Sequence, residues 1–209
     1  MACVVSRIEN RPIPSNSFVI SKNGYRSCVI IDPGTSDCEE LITYLNDNNL
    51  APEYILLTHE HFDHVWGVNR LKDSYGCSIV SSKICSEKIV DRKKNMSLFY
   101  DQVGFETYPA DILVDNGITI SWNDSIIEAF ETPGHTDGSL CFQIENFLFT
   151  GDTIIKDLKT VVKLPTGSKG KLKESFSFLE NKMKGKQIVV YPGHGESFMF
   201  DEIKFSDLL

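Results

Sequence analysis

Three of the five histidines of this chain stand in one seven-residue run, Thr58-His59-Glu60-His61-Phe62-Asp63-His64. The other two stand in Thr132-Pro133-Gly134-His135-Thr136 and Tyr191-Pro192-Gly193-His194-Gly195. Neutral imidazole and carboxylate are good ligands for zinc and other divalent transition metals. His59 and His61 are two residues apart, so an extended segment points them the same way. Asp63 and His64 follow at once. Four donors within six residues strain to converge on one ion but can be divided between two. Asp152, in Phe149-Thr150-Gly151-Asp152-Thr153, offers a further carboxylate and is a candidate bridge. Taken singly, His135, His194 and Asp152 would read as ordinary turn or core residues. The cluster at 59–64 has no such structural use, and it reads as a metal site.

Such side chains are best presented by loops at the ends of rigid elements. The sequence supplies them. Ser17-Phe18-Val19-Ile20 and Arg26 to Ile31 flank a turn at Lys22-Asn23-Gly24 and predict a β-hairpin. The second strand stops at Asp32-Pro33-Gly34. Ser36-Asp37 then caps an expected helix to about Asn46, with Leu41, Ile42 and Leu45 on one face. Glu53 to Leu57 reads as a buried strand that delivers the histidine run. A helix over 63–74 follows, with Val65, Val68 and Leu71 inward, and then a strand at 77–80. Residues 83–108 combine lysines and an arginine with Met96, Leu98, Phe99 and Tyr100 and lack clean periodicity. One helix and a surface connection is the plainer expectation there, and a mobile aromatic lid is the alternative. Residues 111–150 predict a mostly antiparallel run of short strands, followed by a helix over 172–183 and a strand over 187–191. The rhythm indicates one layered α/β domain spanning 1–209.

Composition narrows the class. The 209 residues are 41% hydrophobic and carry a formal charge of −8, enough for a core and a poor match for nucleic acid. No apolar run reaches the roughly 18–20 residues of a membrane span. The N-terminal residues lack the pattern of a secretory leader. Six scattered cysteines without a C-x-x-C pair read as reduced, core-filling residues of a cytoplasmic protein. The expected partner is therefore a small molecule, with neither nucleic acid nor membrane involved. Between Lys156 and Lys186 the chain has nine lysines against three acidic residues. A basic rim there would attract an anionic substrate, although a solvated helix face is the plainer reading.

His59-Glu60-His61-Phe62-Asp63-His64, with His135, Asp152 and His194 in that order, resembles the metallo-β-lactamase-fold hydrolase superfamily. Asp32 matches its first acidic motif, which supports the site rather than ligating. The resemblance covers about residues 17–196 and implies a four-layer αββα sandwich of the α/β (α+β) class. It implies that His59, His61 and His135 hold one metal, Asp63, His64 and His194 a second, and that Asp152 bridges them. Two divalent ions are implied, zinc first, with iron or manganese as alternatives. His and Asp at positions 64 and 152 point away from the commonest true β-lactamases and toward the glyoxalase II-like branch.

The implied chemistry is hydrolysis by a metal-bridged hydroxide, with Asp63 both ligating and accepting a hydrogen bond from the nucleophile. A thioester is the first expected substrate. Only about fifteen residues follow His194, too few for the C-terminal helical domain with which full-length glyoxalase II enzymes bind glutathione. A shorter thioester or another ester is therefore expected. The alternative within the superfamily is a persulfide dioxygenase holding one iron on His59, His135 and Asp152. Lactonase and phosphodiesterase activities come after these.

Overall fold

The computed structural model describes residues 3–209. The chain divides into two compact units, one running to Leu113 and one from Val114 to Leu209. Each is built on a six-stranded mixed sheet. The mixed α/β class with two sheets is the one expected.

The first unit begins with β1 (Cys3–Glu9), β2 (Asn16–Lys22) and β3 (Ser27–Ile31), each antiparallel to the one before. The hairpin turn falls at the expected place, with Gly24 in the left-handed region at φ 85°. Next come α1 (Glu39–Asp47), β4 (Ala51–Leu56), α2 (Phe62–Val65), α3 (Val68–Tyr75), β5 (Ser78–Ser81), α4 (Lys83–Ile89), α5 (Ser97–Asp101) and β6 (Ile112–Leu113). The strands β3 to β6 are parallel in sequence order. Val29 and Ile30 are buried on β3, Ile55 and Leu56 on β4, and Ile79 and Val80 on β5, the near-continuous apolar run of strands covered on both faces. Leu41 and Leu45 of α1, Val65 of α2, and Val68 and Leu71 of α3 belong to the buried core of this unit.

Three local expectations need correction. The N-cap of α1 is Cys38, at φ 54°, and not Ser36-Asp37; Asp37 instead accepts the Glu39 N–H at 3.1 Å. The single helix expected over 63–74 is two helices. Gly67 donates its N–H to the Pro33 carbonyl at 2.7 Å, outside the helical ladder. A Cβ at Gly67 would lie 2.2 Å from Cys38 Sγ, so the close approach of the α1 entry breaks the helix there. Finally, Ile112-Leu113 opens no antiparallel run. It pairs parallel with β5 and closes the first sheet.

The second unit contains β7 (Thr119–Trp122), β8 (Ser125–Glu131), β9 (Leu140–Ile144), β10 (Phe147–Gly151), α6 (Lys169–Met183), β11 (Val189–Pro192) and β12 (Phe198–Met199), followed by two short 3-10 turns. Its sheet runs β12-β11-β10-β9-β8-β7, antiparallel throughout except β10 with β11. The helix α6 starts three residues before its expected position because Ser168 caps it, accepting the Lys171 N–H at 3.3 Å. Leu172, Phe176, Leu179 and Met183 then recur at helical spacing and pack with Phe130, Leu148 and Val190. Among the described residues, no helix is long and apolar enough to cross a membrane.

Candidate metal centre

In the first unit the run from His59 to His64 is held by a buried polar network. Asp32 ends β3 in the left-handed conformation, at φ 49°, and is 1% exposed. Its carboxylate accepts the Thr58 N–H at 2.8 Å and the Thr58 hydroxyl at 2.5 Å. His64 Nδ1 lies 3.0 Å from Asp32 Oδ2. A carboxylate accepts, so Nδ1 carries the proton and Nε2 carries the lone pair of neutral His64. His59 Nδ1 stands 3.1 Å from Thr58 Oγ1, which makes Nε2 its outward nitrogen as well. Such engagement of one ring nitrogen is how proteins orient metal-binding histidines.

The donors gather tightly. The ring of His59 stands 4.8 Å from that of His61 and 4.3 Å from that of His64, centroid to centroid. His61 is the residue before α2, and Asp63 and His64 lie in its first turn. His64 Nε2 and Asp63 Oδ2 are 3.6 Å apart. The Asp63 carbonyl accepts the Ser15 hydroxyl, and Gly34 packs against it: a Cβ on Gly34 would lie 1.8 Å from that oxygen. Asn10 joins Ser15, Ser17 and Thr35 by side-chain hydrogen bonds of 2.9–3.1 Å. Ser17 in turn donates to the Asp32 carbonyl at 2.8 Å.

Glu60, between His59 and His61, is 2% exposed and bonded to Lys88 Nζ of α4 at 2.7 Å. A buried carboxylate needs such a partner. Sequence reasoning missed Asn10, Ser15, Ser17 and Lys88. No spacing signals them, since each acts across a long stretch of chain.

In the second unit three loops follow three strand ends. The loop after β8 carries His135. It is tied to the start of α6 by Ser168 N–H to the Gly134 carbonyl at 2.8 Å, and by Ser175 hydroxyl to the Pro133 carbonyl at 2.8 Å. A Cβ at Gly134 would come within 2.6 Å of Leu172 Cα, so only glycine permits that approach. His135 Nδ1 donates to the Val161 carbonyl at 2.8 Å, which again makes Nε2 the nitrogen with the lone pair. Asp152 follows β10 and His194 follows β11. The Gly193 N–H donates to the Gly151 carbonyl at 2.8 Å and clips these two loops together. Asp152 Oδ2 stands 3.6 Å from His135 Nε2, and Asp152 Oδ1 stands 3.6 Å from His194 Nε2.

These separations test the fit to metal. At 3.6 Å the pairs are too far apart for good hydrogen bonds. Two donors each about 2.0–2.1 Å from a tetrahedral ion stand roughly 3.3–3.4 Å apart. Imidazole Nε2 and carboxylate oxygen are also the donor set that zinc and iron accept. The residues present therefore fit a divalent metal. The first unit brings together His59, His61, Asp63 and His64, with Asp32 supporting; the second brings together His135, Asp152 and His194.

The six cysteines take no part. All are buried and none is in a disulfide. Burial pushes the Cys28, Cys38 and Cys141 thiols up to about 12 and Cys77 to about 11. These are inert side chains at neutral pH. Of the lysines beside Asp152, Lys156 pairs with Glu202, and Lys159 donates to the Leu209 carbonyl at 2.9 Å.

A family model described as "Metallo-beta-lactamase superfamily" matches residues 10–194. A probable metallo-hydrolase of Methanocaldococcus jannaschii is 32% identical, with 91% of this chain and 95% of that one covered. A hydroxyacylglutathione hydrolase of Pelagibacter ubique is 34% identical over 66% of this chain, which spans only half of that protein's length. Among solved structures, the BLEG-1 B3 metallo-beta-lactamase superposes with a TM-score of 0.88 at 29% identity, covering 95% of each chain.

Proposed function

The chain belongs to the metallo-beta-lactamase superfamily, and we propose that within it the protein is a two-metal hydrolase of small ester-like substrates, thioesters first. The observation that carries this reading is Asp152, which turns one carboxylate oxygen to His135 and the other to His194. A carboxylate so placed suits a bridge between two ions. On this reading His59, His61 and His135 hold one ion, and Asp63, His64 and His194 hold the other, with zinc first and iron or manganese as alternatives. Such ions lower the pKa of bound water toward 7 and polarise a carbonyl oxygen.

The chain's own groups do the rest. Asp32 and the Val161 carbonyl keep His64 and His135 in the tautomer that presents Nε2. Asp63, fixed through its backbone by Ser15 and Gly34, offers a carboxylate that can take a hydrogen bond from the attacking water and hold its proton. The thioester reading is supported by the partial likeness to hydroxyacylglutathione hydrolases. Lys163, Lys169 and Lys171 are exposed in the stretch after Asp152 and would favour an anionic substrate. The buried thiols without a disulfide support a cytoplasmic setting.

The likeness to a B3 metallo-beta-lactamase supports a second reading, hydrolysis of a β-lactam amide. Elemental analysis of the purified protein, followed by a panel of thioesters, lactones and a chromogenic cephalosporin, decides among these. About two zinc ions per chain with thioester turnover is expected. Cephalosporin turnover without thioester turnover would favour the second reading. One iron per chain with oxygen uptake on a persulfide would replace both with the dioxygenase.

A further inference from the structure

Beside the first ligand set stands a group of aromatic rings that the hydrolytic reading does not use. Phe62 lies in sequence between His61 and Asp63, and its ring stacks on Tyr100 at 4.8 Å between centroids. Trp66 meets Phe62 edge-on at 5.9 Å and Tyr100 at 5.7 Å, and it stacks on Phe105 at 5.4 Å with the planes 4° apart. The cluster is not closed from solvent. Tyr100 is 43% exposed and the neighbouring Phe99 68%.

Single exposed aromatics are ordinary, but here an exposed ring, Tyr100, continues into three half-buried ones, Phe62, Trp66 and Phe105, an apolar surface that can receive a ligand. This one is also preformed. Asn95, fully buried, donates to the Phe105 carbonyl at 2.8 Å, the Ser97 hydroxyl accepts the Phe105 N–H at 2.9 Å, and Asp101 accepts from Val103 and Gly104. The second unit repeats the association. Leu158, Val161 and Leu164 are exposed on the segment whose Val161 carbonyl orients His135.

Resting on the hydrolase reading above, we propose that Phe62, Trp66 and Tyr100 form a wall that binds an apolar substituent of the substrate, so that the enzyme prefers hydrophobic over short polar esters. Such a substituent can sit on the acyl side or on the leaving thiol, and both sources present the same chemistry to the rings.

The test uses the metal-loaded enzyme and two thioester series. One lengthens the acyl chain from acetyl to octanoyl on a constant thiol; the other lengthens the thiol on a constant acetyl group. In one series kcat/KM should rise about two- to fourfold per methylene. Tyr100→Ala should flatten that slope and Tyr100→Phe should preserve it. Measurable hydrolysis with flat slopes in both series would overturn the wall and leave the hydrolase reading standing. If no ester is turned over, that reading fails, and the wall is judged by binding alone. Octanoate, but not acetate, should then shift the Trp66 emission, an assignment checked with Trp66→Phe because the other tryptophan, Trp122, is buried. Absence of that shift, or its persistence in Tyr100→Ala, overturns the wall. So does sedimentation showing that Tyr100→Ala dissociates a dimer, since the rings would then serve a second copy of the chain.

Discussion

Asp32 ligates nothing in the scheme above, yet it holds Thr58 and His64 at once, and through Ser17 it is joined to the network around Asn10. Replacing it with Ala would leave the Thr58 N–H and the His64 Nδ1–H without their acceptor in a buried setting. Unsatisfied buried donors cost about 1–3 kcal/mol each, and loss of a group that orients a metal ligand costs about 10–100-fold in metal affinity. We therefore expect Asp32→Ala to lower the urea midpoint and to weaken metal binding by that factor, read by competition with a chromogenic chelator. Asp152→Asn tests the bridge. It should cut the metal content from about two ions per chain to one or fewer and reduce hydrolysis at least 100-fold; retention of both ions would exclude the bridging role. The thiols give a pH prediction. Their folded pKa values lie above the unfolded value near 9, so the stability they contribute is intact below pH 9 and is lost as pH rises toward 11–12. Thermal melts should fall over that window, and Cys28→Ala should make the fall shallower. The proposed ligands stand out in sequence because seven residues concentrate four of them. Asn10, Ser15 and Ser17 were not, because a lone polar side chain has meaning only once folding supplies its partner.

At the scale of elements, each proposed ligand loop follows a strand end, and those of Asp63 and His135 are fastened by a close approach that only glycine allows. Gly34 against Asp63 is the tightest. Gly34→Ala forces the β3–α1 connection or α2 to shift, and overpacking of this kind costs about 1–3 kcal/mol. The variant should be less stable in urea, and its folded fraction should bind metal more weakly, because Asp63 moves with its carbonyl. Gly67 shows why the sequence pattern misled. Val65, Val68 and Leu71 keep helical spacing across the interruption and all three are buried, so periodicity alone reads one helix through 63–74. The interruption comes from Pro33 and Cys38, some thirty residues earlier. In the same way β6 is too short for any periodicity, and only its partner β5 assigns it to the first sheet.

At the scale of the whole molecule, the proposed ligands divide between the two units, four in one and three in the other. If the units are halves of one domain, as the sequence suggests, metal binding must stabilise both. Calorimetry of the loaded protein should show a single transition with matching calorimetric and van't Hoff enthalpies, and chelation should lower its midpoint as a whole. Two transitions, only one of which responds to chelator, would contradict the single domain. The aromatic segment behaves differently from the ligand loops. The side-chain hydrogen bonds of Asn95, Ser97 and Asp101 run to residues between Ile89 and Phe105, and Asn69 anchors its far end through Glu106 and Tyr108. Such a piece can be exchanged as a cassette between two fixed ends. On the wall reading, variation in 92–105 would retune what the protein accepts while the proposed ligands stay untouched, and selectivity and reactivity would evolve, or be engineered, along separate paths.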